Sequence, residues 1–128
     1  MWQDWLGRNR VFESGLDPWP TQALHATLGY SGEPPCLSLP VPWHWLYFLE
    51  TPHRESLGPD GHPRKGDFFP PIPNPRRMFV GGRCRIHRKL QLETAATMEE
   101  TILTCQQKQG ASGEMTLLTV GYRYHQRD

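Results

Sequence analysis

The residues from which a metal site or a proton-transfer site could be built are six histidines, three cysteines and thirteen carboxylates in a chain of 128 residues. His44, His53, His62 and His87 stand singly. There is no His-x3-His pair, no Cys-x2-Cys and no carboxylate at ligand spacing, so no zinc site is expected. Cys36, Cys84 and Cys105 lack a neighbouring histidine that would hold a thiolate, and there is no Gly-x-Ser-x-Gly elbow. Asp60 and Asp67 each follow or precede a glycine. Asp60 belongs to a turn, whereas Asp67 precedes two phenylalanines, where burial would raise a carboxyl pKa. Neither has a partner group in the sequence, and no catalytic residue is assigned.

Two other patterns carry more chemistry. Arg83-x-Arg85-x-His87-Arg88-Lys89, with Arg76-Arg77 just before it, is the one strong charge feature. It reads either as the wet face of a strand or as a phosphate site, because guanidinium forks match phosphate oxygens two at a time. The adenine-nucleotide tail of a coenzyme A needs only two or three such cations, and Arg76, Arg83 and Arg85 are the candidates. The second pattern is aromatic: Trp43, His44 and Tyr47 in one cluster, and Phe68, Phe69, Met78 and Phe79 beyond it. These residues make either a core or the wall of a flat apolar slot for an acyl chain, and one wall can serve both.

Elements must hold these residues in place, and the composition bounds what they are. The apolar content of 37% plus twelve glycines is that of an ordinary globular domain, and 128 residues suit one domain over 1–128. A net charge of +1 favours neither nucleic acid nor an anionic membrane. Pro34 to Leu49 is free of Asp, Glu, Lys and Arg but too short to span a bilayer. The N-terminus lacks the basic and apolar regions of a secretory signal. An odd number of cysteines without paired spacing reads as reduced thiols in an intracellular protein, cytoplasmic or mitochondrial. Asp17-Pro18 starts a helix over 18–28, with Gly29 as its stop. Eleven of the thirteen prolines lie from Pro34 to Pro75, so an irregular crossover with buried aromatics is expected over about 30–75, including a turn at Gly58–Pro63. Val11-Phe12 marks a short strand. Three long strands are expected after it, over Met78–Leu90 with Cys84 on the apolar side, Ala95–Gln107 and Met115–Tyr124, with a hairpin at Gly110–Gly113. The sum is an α+β fold, a curved antiparallel sheet with one helix.

The strings Trp43-His44-Trp45-Leu46-Tyr47-Phe48-Leu49 and Glu55-Ser56-Leu57-Gly58-Pro59-Asp60-Gly61-His62-Pro63-Arg64 stand in this crossover. With Phe69-Pro70-Pro71-Ile72-Pro73, Pro75-Arg76-Arg77-Met78, Gly81-Gly82-Arg83 and Asp4-Trp5-Leu6-Gly7-Arg8, they resemble the N-terminal half of MaoC-like acyl-thioester dehydratases. The subgroup resembled includes mesaconyl-CoA-type hydratases and 3-hydroxyacyl-thioester dehydratase type 2. The resemblance implies a hot-dog fold, one half of a double hot dog, acting on acyl-CoA or acyl-carrier thioesters without a cofactor. It implies that the catalytic Asp and His come from the other half, in an Asp-x-Asn-Pro-x-His motif absent here. It also implies a second hot-dog half, in trans or missing from the chain, or a homodimer. On this view the chain is a substrate-binding, non-catalytic half of a hydro-lyase. A non-enzymatic acyl-thioester-binding or dimerisation module is the alternative. One departure is local: where the family has Pro-Leu and then a Gly-Asp turn, this sequence has Lys89-Leu90 and Glu93-Thr94.

Overall fold

A computed structural model describes residues 2–127. Their regular elements are β1 (Asn9–Ser14), α1 (Pro18–Thr27), β2 (Ala96–Gly110) and β3 (Gly113–Gln126), with short 3-10 turns at Gln3–Trp5, Trp43–Leu46 and Arg54–Ser56. The strands form one antiparallel sheet in the order β1-β2-β3. One helix and one antiparallel sheet make this the α+β class of a single hot dog. Among the described residues no helix is long and apolar enough to cross a membrane.

The helix starts and stops where its sequence says. The Asp17 carboxylate accepts the Trp19 N–H at 2.7 Å, and Pro18 fills the first helical position, whose N–H would be unpaired anyway. Gly29, at a φ of 71°, takes the left-handed conformation that ends the helix. Gly113, at a φ of 122°, does the same for the hairpin between β2 and β3.

By backbone proximity the chain divides into two compact units. The first comprises the residues up to Arg10, Thr51–Gly82 and Glu99–Tyr122. In it the β1 and β2 segments run opposite ways: the Gly7 N–H donates to the Ile102 carbonyl at 2.8 Å, and the Ile102 N–H donates to Arg8 at 3.0 Å. β2 is buried at every second residue from Ala96 to Ile102, the period of a strand with one covered face. The proline-rich crossover in this unit is fastened by side chains. Lys65 Nζ donates to the Ile72 carbonyl at 2.9 Å and to the Asn74 carbonyl at 2.6 Å. The Asn74 amide in turn meets the Glu114 carbonyl and the Thr116 hydroxyl on β3. Such bonds satisfy backbone carbonyls that proline-bound neighbours cannot pair in a ladder.

The second unit comprises Val11–Glu50, Arg83–Met98 and the residues from Arg123 on. Its core is Leu16, Leu39, Tyr47, Phe48, Leu92, Ala96 and Met98, with Phe12, Trp43, Leu46, Leu90 and Tyr124 packed against it. Irregular backbone crosses this core in pairs: Leu39 N–H donates to Leu90 at 2.8 Å, and Leu92 N–H donates to Leu37 at 2.9 Å.

Two expectations fail here. Met78–Leu90 is irregular, and Cys84 is exposed rather than a core residue. Alternation alone does not make a strand: the stretch has Gly81-Gly82 inside it and, among the described residues, pairs with no named strand, so its backbone has no ladder to join. The third strand of the sheet is instead the short β1 around Val11-Phe12.

The family departure at Glu93 has a physical counterpart. Glu93 sits at a φ of 58°, in the left-handed region where glycine is at ease and a side chain costs about 1–2 kcal/mol. Its side chain is exposed and its N–H donates to the Leu16 carbonyl at 3.0 Å. Glu93→Gly is therefore expected to stabilise the chain by about 1 kcal/mol, read as a higher denaturation midpoint at unchanged slope. An unchanged or lower midpoint would show that the turn is not strained.

Candidate functional site

Trp43, His44 and Tyr47 lie in the second unit, on and just after a 3-10 turn that Pro40 and Pro42 start. Tyr47 is buried. Its hydroxyl donates to the Asp17 carbonyl at 2.6 Å and lies 2.8 Å from the Thr21 hydroxyl. One O–H can donate only once, so Thr21 is the donor in the second bond. The Tyr47 oxygen is therefore spent on holding the start of α1, and only the ring is left to face a ligand. The His44 ring stands edge-on to Tyr124 at 4.8 Å. Burial pushes its pKa below the usual histidine value, so the imidazole is neutral near pH 7, with one donor and one acceptor nitrogen. Trp43 stacks on Tyr30 with centroids 6.5 Å apart. The three share one short turn, and the ring contacts of Trp43 and His44 run to Tyr30, Trp45 and Tyr124.

Phe68, Phe69, Met78 and Phe79 lie in the first unit. Phe68 and Phe69 are half-buried and meet edge to face at 5.1 Å. Met78 and Phe79 are 81% and 80% exposed, so the core reading fails for them. They follow the proline run and precede Gly81-Gly82, and the Phe79 ring lies beside Gly82. Asp67 is exposed too, so the burial expected of its carboxyl is absent. The Asp67 backbone carbonyl accepts a bond from Arg8 Nη1 at 2.9 Å.

The phosphate candidates divide in the same way. Arg76 belongs to the first unit, and Arg83 and Arg85 to the second. All three are exposed. Among the described residues none of their guanidinium groups is engaged in an ion pair or hydrogen bond, which leaves them available to an anion. Arg77 differs: its Nε lies 3.0 Å from the Asp60 carboxylate and its Nη2 donates to the Pro63 carbonyl. The His62 backbone N–H and Arg77 together hold the Asp60 carboxyl below its usual pKa. That pair fixes the Gly58–Pro63 turn and is not a ligand site.

An open cleft of about 530 Å³ in the first unit is lined by His53, Glu55, Arg64, Lys65 and Asp67, among others, and by none of the acyl-slot or phosphate candidates. No cluster of His, Cys, Asp and Glu among the described residues is placed to hold a metal ion. Sequence reasoning missed one arrangement altogether. Arg10 on β1 forms an ion pair with Glu100 on β2, and the Arg10 guanidinium lies over the Phe68 ring, 4.2 Å from its centroid. Its only signal in the sequence is a charge in the middle of each of two β-rich runs.

Comparison with known proteins gives two findings. The family model for hydroxyacyl-thioester dehydratase type 2 matches residues 42–126. The mesaconyl-C(4)-CoA hydratase of Chloroflexus aurantiacus is 40% identical over 129 residues, which cover 99% of this chain and 46% of that protein. The chain therefore spans about half the length of this curated relative.

Proposed function

The chain belongs to the hydroxyacyl-thioester dehydratase type 2 family, and from that premise we propose that it is the substrate-binding, non-catalytic half of an acyl-thioester hydratase. The reaction is reversible addition of water across the double bond of an enoyl thioester, carried by coenzyme A or an acyl carrier protein. The acid and base for that step come from a second hot-dog half, which this chain meets as a separate partner or as further chain. The carrying observation is the family match over 42–126 in a sequence without the Asp-x-Asn-Pro-x-His motif. The 46% coverage of a hydratase relative supports it.

Within this reading each group has a task. In the first unit Phe68 and Phe69 line the acyl group, with the solvent-facing Met78 and Phe79 as further apolar contacts; in the second unit Trp43, His44 and Tyr47 are the candidates for the same role. Arg83 and Arg85 of the second unit take the coenzyme phosphates through charge-assisted bonds, and Arg76 is the candidate for that role in the first unit. The three free cysteines suit an intracellular setting, cytoplasmic or mitochondrial. No cofactor and no nucleic acid are called for.

The chain alone is expected to bind crotonyl-CoA more tightly than free coenzyme A, as measured by calorimetry. Exchanging Arg83 and Arg85 together for glutamine should weaken both ligands alike and flatten the salt dependence. Equal affinity for the two ligands would remove the acyl slot. A salt dependence unchanged in the double variant would remove the arginines from the phosphate site. A chain that prefers the thioester but never supports turnover with any second half is the non-enzymatic binding module instead.

A further inference from the structure

We propose that Arg10 is a positioning residue that holds Phe68 and Phe69 still as a wall for the acyl group; this rests on the acyl-slot reading above. Glu100 is buried to 4% exposure on β2, where a lone carboxylate is costly, and Arg10 supplies its partner from β1. That ion pair fixes the plane of the guanidinium. The plane then lies over Phe68 at 4.2 Å and reaches Phe69 at 5.4 Å, within the range at which a cation is drawn to the face of a ring. Two residues earlier, just before β1, Arg8 holds the Asp67 carbonyl. Beyond the phenylalanines, Lys65 holds the carbonyls of Ile72 and Asn74. A half-exposed Phe-Phe pair in a proline-rich crossover has few backbone bonds of its own, and the Gly66 N–H to Phe69 carbonyl bond at 2.8 Å is the local one. The cations therefore do the work that a ladder does in a strand. A site whose wall is fixed before binding loses less side-chain freedom when the acyl group arrives.

Lysine at position 10 keeps the charge opposite Glu100 but has no flat face to lay on the rings. In the full chain, Arg10→Lys is expected to lower crotonyl-CoA affinity about fivefold while leaving coenzyme A affinity unchanged. Placed on Phe68→Ala, the same change should add no further loss. Amide hydrogen exchange over 66–69 should quicken in Arg10→Lys. A variant that weakens both ligands equally, or leaves crotonyl-CoA affinity and exchange as they were, would overturn the positioning role. A wild-type chain that does not prefer crotonyl-CoA over coenzyme A overturns the acyl-slot reading itself, and the wall with it. The two failures are told apart because the second appears without any substitution.

Discussion

Arg10→Met is expected to lower stability by about 3 kcal/mol, because it leaves the buried Glu100 carboxylate without its cation. The loss is larger than that of a surface ion pair, which is typically below about 1 kcal/mol, since the Glu100 side chain is only 5% exposed. The lost packing of the guanidinium on Phe68 adds to it. For a chain of this size about 3 kcal/mol corresponds to a fall of roughly 10 °C in Tm. Adding Glu100→Leu should restore most of the stability, because an apolar pair of similar volume suits that site as well as a buried ion pair does. Thermal denaturation of the two variants decides it. Arg10→Met melting within a degree or two of wild type, or a double variant no better than the single, would show that the pair is not the anchor of β1 on β2.

Tyr47→Phe is expected to cost about 2 kcal/mol. The substitution removes one oxygen but strands two groups, the Asp17 carbonyl and the fully buried Thr21 hydroxyl. The asymmetry is the reason for the size: an unmade bond to a buried group costs its full desolvation, whereas a pair removed together costs little. Thr21→Val should accordingly reduce the effect of Tyr47→Phe by more than half, as urea denaturation of the four combinations would show. An additive result would mean that the two hydroxyls do not act on each other and that α1 is held by packing alone.

Much of the fold was legible because its signals are local. Asp17-Pro18 and Gly29 bracket α1 within a residue or so, and Gly110–Gly113 makes the hairpin turn. The β-rich run over Ala95–Gln107 and the alternation over Met115–Tyr124 mark strands, which the structure places at Ala96–Gly110 and Gly113–Gln126. The same alternation misled over Met78–Leu90, since a strand is made by its partner and no local pattern records whether one exists. Buried aromatics are expected across the whole crossover; Tyr47 and Phe48 are buried, but Tyr30 and Trp45 are exposed, since aromatic type alone does not say which rings find a neighbour. The irregular path is held by contacts across large sequence separations, from Asn74 to Glu114 and Thr116 and from Arg10 to Glu100, which lie 90 residues apart. Such pairs leave no periodic trace. Glu93 lies between these cases: its departure from the family's glycine was visible in sequence, and its left-handed backbone was visible only in the fold.

The central claim is that this chain binds the thioester and leaves the proton transfers to another half. The direct measurement is hydration of crotonyl-CoA by the chain alone and by the chain mixed with the part of the Chloroflexus aurantiacus hydratase that it does not cover. The expected result is binding without turnover by the chain alone, and turnover when the second half is present. Clear hydration by the chain alone would contradict the claim, because its acid and base would then have to lie among its own residues.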